Sequence, residues 1–86
     1  MNLEEQFQQA AKDVQTLPKK PDNPALLKLY SLYKQGSVGE LQGKRPGVLN
    51  LVARAKYDAW AELKGMSQDQ AKKDYVGFVK SLMAGS

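Results

Sequence analysis

Residues 23–36 read NPALLKLYSLYKQG, and residues 36–50 read GSVGELQGKRPGVLN. The contrast between these neighbours decides the fold class. The first opens with Asn23-Pro24, a capping residue followed by proline at the first helical position, where its missing N–H costs little. It then presents Leu26, Leu27, Leu29, Tyr30, Leu32 and Tyr33 before Gly36. That is too much apolar surface for one narrow stripe, so such a helix touches two neighbours, or lines a ligand groove as well as a core. The second stretch holds Gly36, Gly39, Gly43, Pro46 and Gly47. No helix survives that density of breakers and no strand alternation replaces it. It reads as a long loop, and loops of this length usually carry function.

Outward from this pair, the remaining chain is helical on both sides. Asn2 to about Leu17 has Leu3, Phe7, Ala10, Ala11, Val14 and Leu17 at helical spacing, with Asn2 and Glu5 placed as a capping box. Pro18 stops it, and Pro18-Lys19-Lys20-Pro21-Asp22 is a short stiff linker. A third block starts after Asn50 and ends at Lys64-Gly65, the expected glycine past a helix end. A fourth starts at Ser67 with Gln70 placed for a second capping box, and Ala71, Tyr75, Phe78, Val79 and Leu82 mark its buried face. The tail Ala84-Gly85-Ser86 is expected to fray. These four helices with no strand candidate predict an all-α fold, a four-helix bundle with a long loop between the second and third helices. The joints differ in length, so the topology need not be simple up-down.

At 86 residues the chain is expected to be one domain spanning 1–86, with a thin core. Its balance of 42% hydrophobic and 26% charged residues is that of an ordinary globular chain, not a disordered one. There is no cysteine, hence no disulfide, thiolate nucleophile or iron–sulfur ligand, and no histidine, the usual near-neutral acid–base group and metal ligand. The serines have no histidine to activate them. Asp58 and Glu62 stand one turn apart, as ordinary helix surfaces often show, and no calcium-loop pattern is present. No catalytic residue, metal site or cofactor is expected. No run is apolar for the length of a membrane span, and the acidic start MNLEEQF is unlike an export signal. Thirteen Lys and Arg against nine Asp and Glu give a net charge of +4, which suggests an anionic partner.

Two clusters suit such a partner. Tyr30 and Lys34 lie one turn apart on the second block with Tyr33 at the edge of their face, and Arg54, Lys56 and Tyr57 repeat the composition on the third, where Lys56 and Trp60 are again one turn apart. A ring beside a cation fits a nucleotide: the ring meets the base and the ammonium a phosphate. On the second helix alone, the other reading is that both tyrosines are core and Lys34 is solvated. Lys44-Arg45 is either an anion contact or a solvated turn, with the turn favoured. Lys19-Lys20 and Lys72-Lys73 read as solvated surface. The glycine-rich loop is not a nucleotide phosphate loop, since Gly43-Lys44 is followed by Arg45 and no strand precedes it.

Taken together, Tyr30-Ser31-Leu32-Tyr33-Lys34-Gln35, Val38-Gly39, Arg45-Pro46-Gly47, Ala55-Lys56-Tyr57-Asp58-Ala59-Trp60 and Leu63-Lys64-Gly65-Met66-Ser67 closely resemble the acyl-CoA-binding protein family in order, gaps and length. The resemblance runs from Phe7 to about Leu82. It implies a four-helix bundle that binds medium- to long-chain fatty acyl-CoA thioesters non-covalently, as a cytoplasmic carrier and pool. On the family pattern Tyr30, Lys34 and Lys56 hold the adenosine 3′-phosphate and adenine end. Tyr33 and Tyr75 match tyrosines near the ligand, and Lys20 matches a lysine beside the adenine. Leu26, Leu27, Leu29 and Phe7 match positions bordering the acyl chain. Tyr57 stands where tryptophan is usual and Arg54 where lysine is frequent. Val52 and Gln15 each replace a lysine that some members carry.

The resemblance further implies a monomer with no stable membrane insertion, exchanging ligand with enzymes that produce and consume acyl-CoA. A nucleic-acid role is disfavoured because the cations are spread over linker, loop and helices, with no basic recognition helix. A pure protein-interaction module would show a dry, filled core and no basic groove.

Overall fold

The computed structural model describes residues 1–85. These residues form four α-helices: α1 (Leu3–Asp13), α2 (Asn23–Ser37), α3 (Leu51–Ala61) and α4 (Gln68–Ala84). A single 3-10 turn, Val14–Thr16, follows α1, so the first block tightens before Pro18 instead of running as α-helix to Leu17. The capping box at its start is complete: Glu5 N donates to Asn2 Oδ1 at 2.8 Å and Asn2 N donates to Glu5 Oε1 at 3.2 Å.

Three other boundaries differ from expectation. Asp22, not Asn23, caps α2: its carboxylate accepts from Ala25 N at 3.0 Å, and the extended backbone at Asp22 leaves Asn23 as the first helical residue. A carboxylate there also meets the positive end of the helix dipole. Ser67 Oγ accepts from Gln70 N at 3.0 Å, but the Gln70 amide turns to Asp74 at 2.8 Å, so the second capping box is only half made. α3 stops at Ala61 and passes through tight turns to Gly65, which sits at φ 92°, a left-handed conformation that glycine adopts without strain. At the other end of the chain α4 continues through Ala84 with Gly85 as its cap, while Ser86 lies outside the described residues.

Pairs across the helices give the topology. Glu4–Lys72 and Phe7–Tyr75 run in the same order along α1 and α4, so these helices are parallel. Gln35 reaches Met66 O just before α4 while Lys28 overlies Phe78, so α2 and α4 are antiparallel. Tyr30–Lys56 and Gln35–Trp60 make α2 and α3 parallel. This explains the long loop. A parallel neighbour must begin where α2 began, and a 15-residue helix is about 22 Å long, so the connection has to travel back that far.

The core lies among α1, α2 and α4: Phe7, Ala10, Leu29, Leu32, Tyr75, Val76 and Val79 are buried together. Phe7 has no exposed surface and stacks on Tyr33 (centroids 5.2 Å, planes at 22°) and edge-on to Tyr75 (5.2 Å). Burying such a ring contributes about 1.5–3 kcal/mol. By contrast, among the described residues α3 packs on α2 alone. The result is a thin molecule of 38 × 28 × 15 Å, with a radius of gyration of 13.1 Å where about 12 Å is usual for this length. The thinness leaves the α2–α3 seam open to solvent.

Candidate functional site

The seam is tied shut at one end and open at the other. At the closed end Gln35, 1% exposed, donates through Nε2 to Met66 O (2.7 Å) and Glu40 Oε1 (2.8 Å), and accepts from Trp60 Nε1 (2.9 Å). Trp60 also donates to Gly39 O at 3.0 Å, and Gly65 N donates to Glu40 Oε1 at 2.9 Å. Every polar atom of the Gln35 amide is thus used, which makes its burial affordable. Donation from the Gly65 amide, then from Gln35, holds the Glu40 carboxyl below its ordinary range. The loop is pinned to α3 at two further points. Arg45 grips Asp58 with both Nε (3.0 Å) and Nη2 (2.7 Å), and Tyr57 Oη donates to Gly43 O at 3.3 Å. Arg45 stays exposed, as a turn residue would, yet closes the loop on α3, and its hydrogen bonds keep the Asp58 carboxyl low.

At the open end the first turns of α2 and α3 part around a cleft of about 320 Å³ lined by Asn23, Leu26, Leu27, Leu51, Val52, Ala55 and Lys56. That lies at the lower edge of the usual range for ligand sites, about 300–1,000 Å³. Leu26 and Leu27 form its α2 wall. The opposite wall was not foreseen. Leu51 and Ala55 share one face, and Val52 and Lys56 another, each pair one turn apart. Val52 does more than lack a lysine: it extends the apolar wall.

Between the two ends lie the cations, and their pairing is crossed. The spacing pairs Tyr30 with Lys34 and Lys56 with Trp60 along each helix. In the structure Lys56 Nζ of α3 overlies the Tyr30 ring of α2 at 5.3 Å, and Lys34 Nζ of α2 overlies the Trp60 ring of α3, also at 5.3 Å. Neither lysine is ion-paired among the described residues, nor is Lys20 or Arg54. Rings hold these ammonium groups by weak cation–π attraction, so the charge stays available to an anion. The hydroxyls of Tyr30, Tyr33 and Tyr75 have no protein partner among the described residues.

Other expected site residues lie elsewhere. Phe7 is sealed in the core and Leu29 is 8% exposed within it, so neither borders the cleft. Core packing against α1 and α4 claims the Leu29 face of α2, while Leu26 and Leu27 turn toward α3. Tyr33 and Tyr75 meet edge-on at 5.7 Å beside Phe7, and burial, with Tyr33 alongside, pushes the Tyr75 phenol up. Lys20 sits in the linker with Leu17, Leu82 and Gly85, apart from the cleft lining. Arg54 is half-buried on α3 and Tyr57 holds the loop. Lys72 is not solvated surface: its ammonium pairs with Glu4 at 2.7 Å and its side chain is 19% exposed. That hydrogen bond, more than the one from Gln8, lowers the Glu4 carboxyl.

Among the described residues there is no group of three or more His, Cys, Asp or Glu suited to hold a metal, and no helix is long and apolar enough to cross a membrane. A family model described as acyl CoA binding protein matches residues 4–79. Acyl-CoA-binding protein 2 of Saccharomyces pastorianus is 46% identical over 78 residues, covering 91% of this chain and 90% of its own. Acyl-CoA-binding protein homolog 1 of Caenorhabditis elegans is 47% identical over 78 residues, covering 91% of each chain. The crystal structure of Oryza sativa acyl-CoA-binding protein 2 superposes with a TM-score of 0.92 at 42% identity, over 96% of this chain and 90% of that one. A match across most of the length, in sequence and in backbone, means that the chain belongs to the acyl-CoA-binding protein family.

Proposed function

We propose that this chain, as one domain, binds medium- to long-chain fatty acyl-CoA non-covalently and serves as its carrier and pool. The observation that carries the reading is the placement of Lys56, uncompensated by any carboxylate, over Tyr30 at the edge of an apolar cleft. An acyl-CoA has that same division: a phosphorylated nucleotide at one end and a hydrocarbon chain at the other. Lys56 and Lys34 meet its phosphates by charge-assisted hydrogen bonds, and the Tyr30 hydroxyl supplies a further contact. Lys20 and Arg54 add cations at longer reach, and Tyr33 and Tyr75 offer their free hydroxyls. Leu26 and Leu27, with Leu51, Val52 and Ala55, cover the acyl chain. At about 0.8 kcal/mol per buried methylene a long chain contributes roughly 10 kcal/mol before ordering costs.

Phe7 and Leu29 serve the site from within the core, by fixing the face of α2 that turns outward. Tyr57 acts through the loop it anchors. With no histidine and no cysteine in the chain, the ligand is held and released unchanged, without catalysis, cofactor or metal. The protein works as a cytoplasmic monomer between enzymes that make and use acyl-CoA. Native mass spectrometry of the freshly purified protein tests the reading: a bound species with an acyl-CoA mass supports it, and a bound phospholipid or nucleic acid in its place rejects it.

A further inference from the structure

We propose that the trough between α3 and α4, on the side of α2 away from the ligand face, receives an amphipathic helix of a partner protein; that the partner makes or uses acyl-CoA rests on the reading above, the docking itself does not. In a closed four-helix bundle each helix has two neighbours. Here α3 and α4 each pack on α2 but not on one another, so one helix position stands vacant between them. Two adjoining hollows of about 400 and 500 Å³ occupy it, sharing Lys28, Ser31 and Leu63. Lys28 and Tyr30 are two residues apart, about 160° around a helix, so the trough and the ligand face look in nearly opposite directions. Leu27 and Ala55, which line both the trough and the cleft, form the partition.

Gly77 shows what the trough is shaped for. It stands inside α4, in the trough wall. Glycine there weakens a helix relative to alanine. A Cβ at Gly77 would meet nothing within 4 Å, whereas one at Gly36 would press on Phe7. Nothing in this chain therefore needs the missing side chain, but another backbone could approach closely through it. Half-buried Leu63, Met66 and Phe78 beside it supply apolar contact. The described residues contain no strand, hence no sheet edge to extend, and the mode that fits is a helix laid in a groove. Charge fixes its chemistry. On one side the Lys28 ammonium rests on the Phe78 ring at 4.5 Å and Lys73 stands at the rim, neither paired with a carboxylate among the described residues. On the other side Glu62 has no cation partner among them. The remaining rim carboxylates are engaged, Asp58 by Arg45 and Asp74 by the Gln70 amide. A helix whose apolar face is bordered by acidic residues toward Lys28 and Lys73, and by a basic one toward Glu62, answers all three. A lipid chain would leave Glu62 unanswered.

The probe is a fluorescent stapled peptide helix of about four turns, with leucines on one face, glutamates along one edge of it and lysines along the other. Fluorescence anisotropy should show binding on the order of tens of micromolar, as for a small transient interface. Gly77→Leu should lose about tenfold or more, by filling the space the probe backbone needs. Lys28→Glu should lose about tenfold, and a probe with its glutamates replaced by lysine should recover it. Both variants should keep their palmitoyl-CoA affinity within about twofold of the parent. Gly77→Ala should raise the melting temperature, since its helical backbone suits alanine. No probe binding at about 1 mM, or equal binding by Gly77→Leu, overturns the proposal. A lowered melting temperature in Gly77→Ala does so too, because the glycine would then serve the chain itself. So does a Gly77-dependent dimer in sedimentation velocity, which would assign the trough to a second copy. A weakened palmitoyl-CoA affinity in Gly77→Leu also overturns it, assigning the trough to the ligand. If the probe binds through Gly77 but palmitoyl-CoA does not bind at all, the acyl-CoA reading fails and the docking site stands.

Discussion

Lys56 rests its ammonium on a ring where a carboxylate would have satisfied it, and the same is true of Lys34. A carboxylate partner would have to be displaced before a phosphate could bind; a ring need not be. If these two cations meet the ligand as proposed, removing either weakens binding with little effect on folding. Lys34→Ala and Lys56→Ala should each weaken palmitoyl-CoA by about 1.5–3 kcal/mol, with unchanged helical circular dichroism. Lys73→Ala is the better control, because Lys72 bridges α4 to Glu4. Tyr30 separates ring from hydroxyl. Tyr30→Phe should cost about 0.5–1.5 kcal/mol of binding, and Tyr30→Asn considerably more, with a small change in melting temperature. Normal affinity in folded Tyr30→Asn would remove Tyr30 from the site.

Among elements, the approach of α4 and of the Phe7 ring to α2 depends on Gly36. A Cβ there would lie 3.1 Å from Phe7 Cζ and 3.1 Å from Lys72 Cγ. The Phe7 ring cannot give way, since Tyr33 and Tyr75 hold it and it is fully buried. Gly36→Ala gains about 1 kcal/mol of helix propensity but incurs an overpacking cost of about 1–3 kcal/mol. A net loss of about 1 kcal/mol in urea unfolding is expected. The Gln35 staple is more costly to break. Gln35→Leu leaves Met66 O and the Glu40 carboxylate, both in part-buried hydrogen bonds, without their Gln35 donor and should destabilise by about 1–3 kcal/mol, loosening the closed end of the seam.

These elements also show what a sequence can tell. Apolar periodicity and glycine density were enough for the four helices and the long loop, because both are local signals. The Tyr30 and Lys56 neighbourhood was legible for the same reason, on each helix separately. The crossed pairing was not, since it depends on α2 and α3 running parallel, which only long-range packing decides. The Leu51–Val52 wall was missed because apolar residues at a helix start look like core until the neighbouring helix is placed. That Phe7 is buried in the core and not on the cleft lining was illegible for the converse reason: nothing local distinguishes a ring in the core from one against a ligand.

For the whole molecule, three carboxyls, those of Glu4, Glu40 and Asp58, sit below their ordinary range through hydrogen bonds that join α1 to α4, the loop to Gly65, and the loop to α3. A lowered carboxyl stabilises the fold above its unfolded pKa and ceases to do so as pH falls through the folded value. The Tyr75 phenol is shifted upward, so its contribution is present below its unfolded pKa and is lost as pH rises past it. The melting temperature should be level from about pH 6 to 9, falling below about pH 5 and above about pH 10. Glu40→Gln should flatten the acid limb, and an unchanged acid limb would show that the Glu40 bonds do not persist in solution.

The thin bundle, with one helix held by a single neighbour, is suited to a ligand that is nucleotide at one end and hydrocarbon at the other. Calorimetric titration with palmitoyl-CoA, coenzyme A and palmitate under identical conditions tests this most directly. Palmitoyl-CoA should bind far more tightly than either fragment, since only the whole ligand engages both the crossed lysines and the apolar cleft. Equal affinity for palmitate and palmitoyl-CoA would contradict the assignment of the nucleotide end to Lys34 and Lys56.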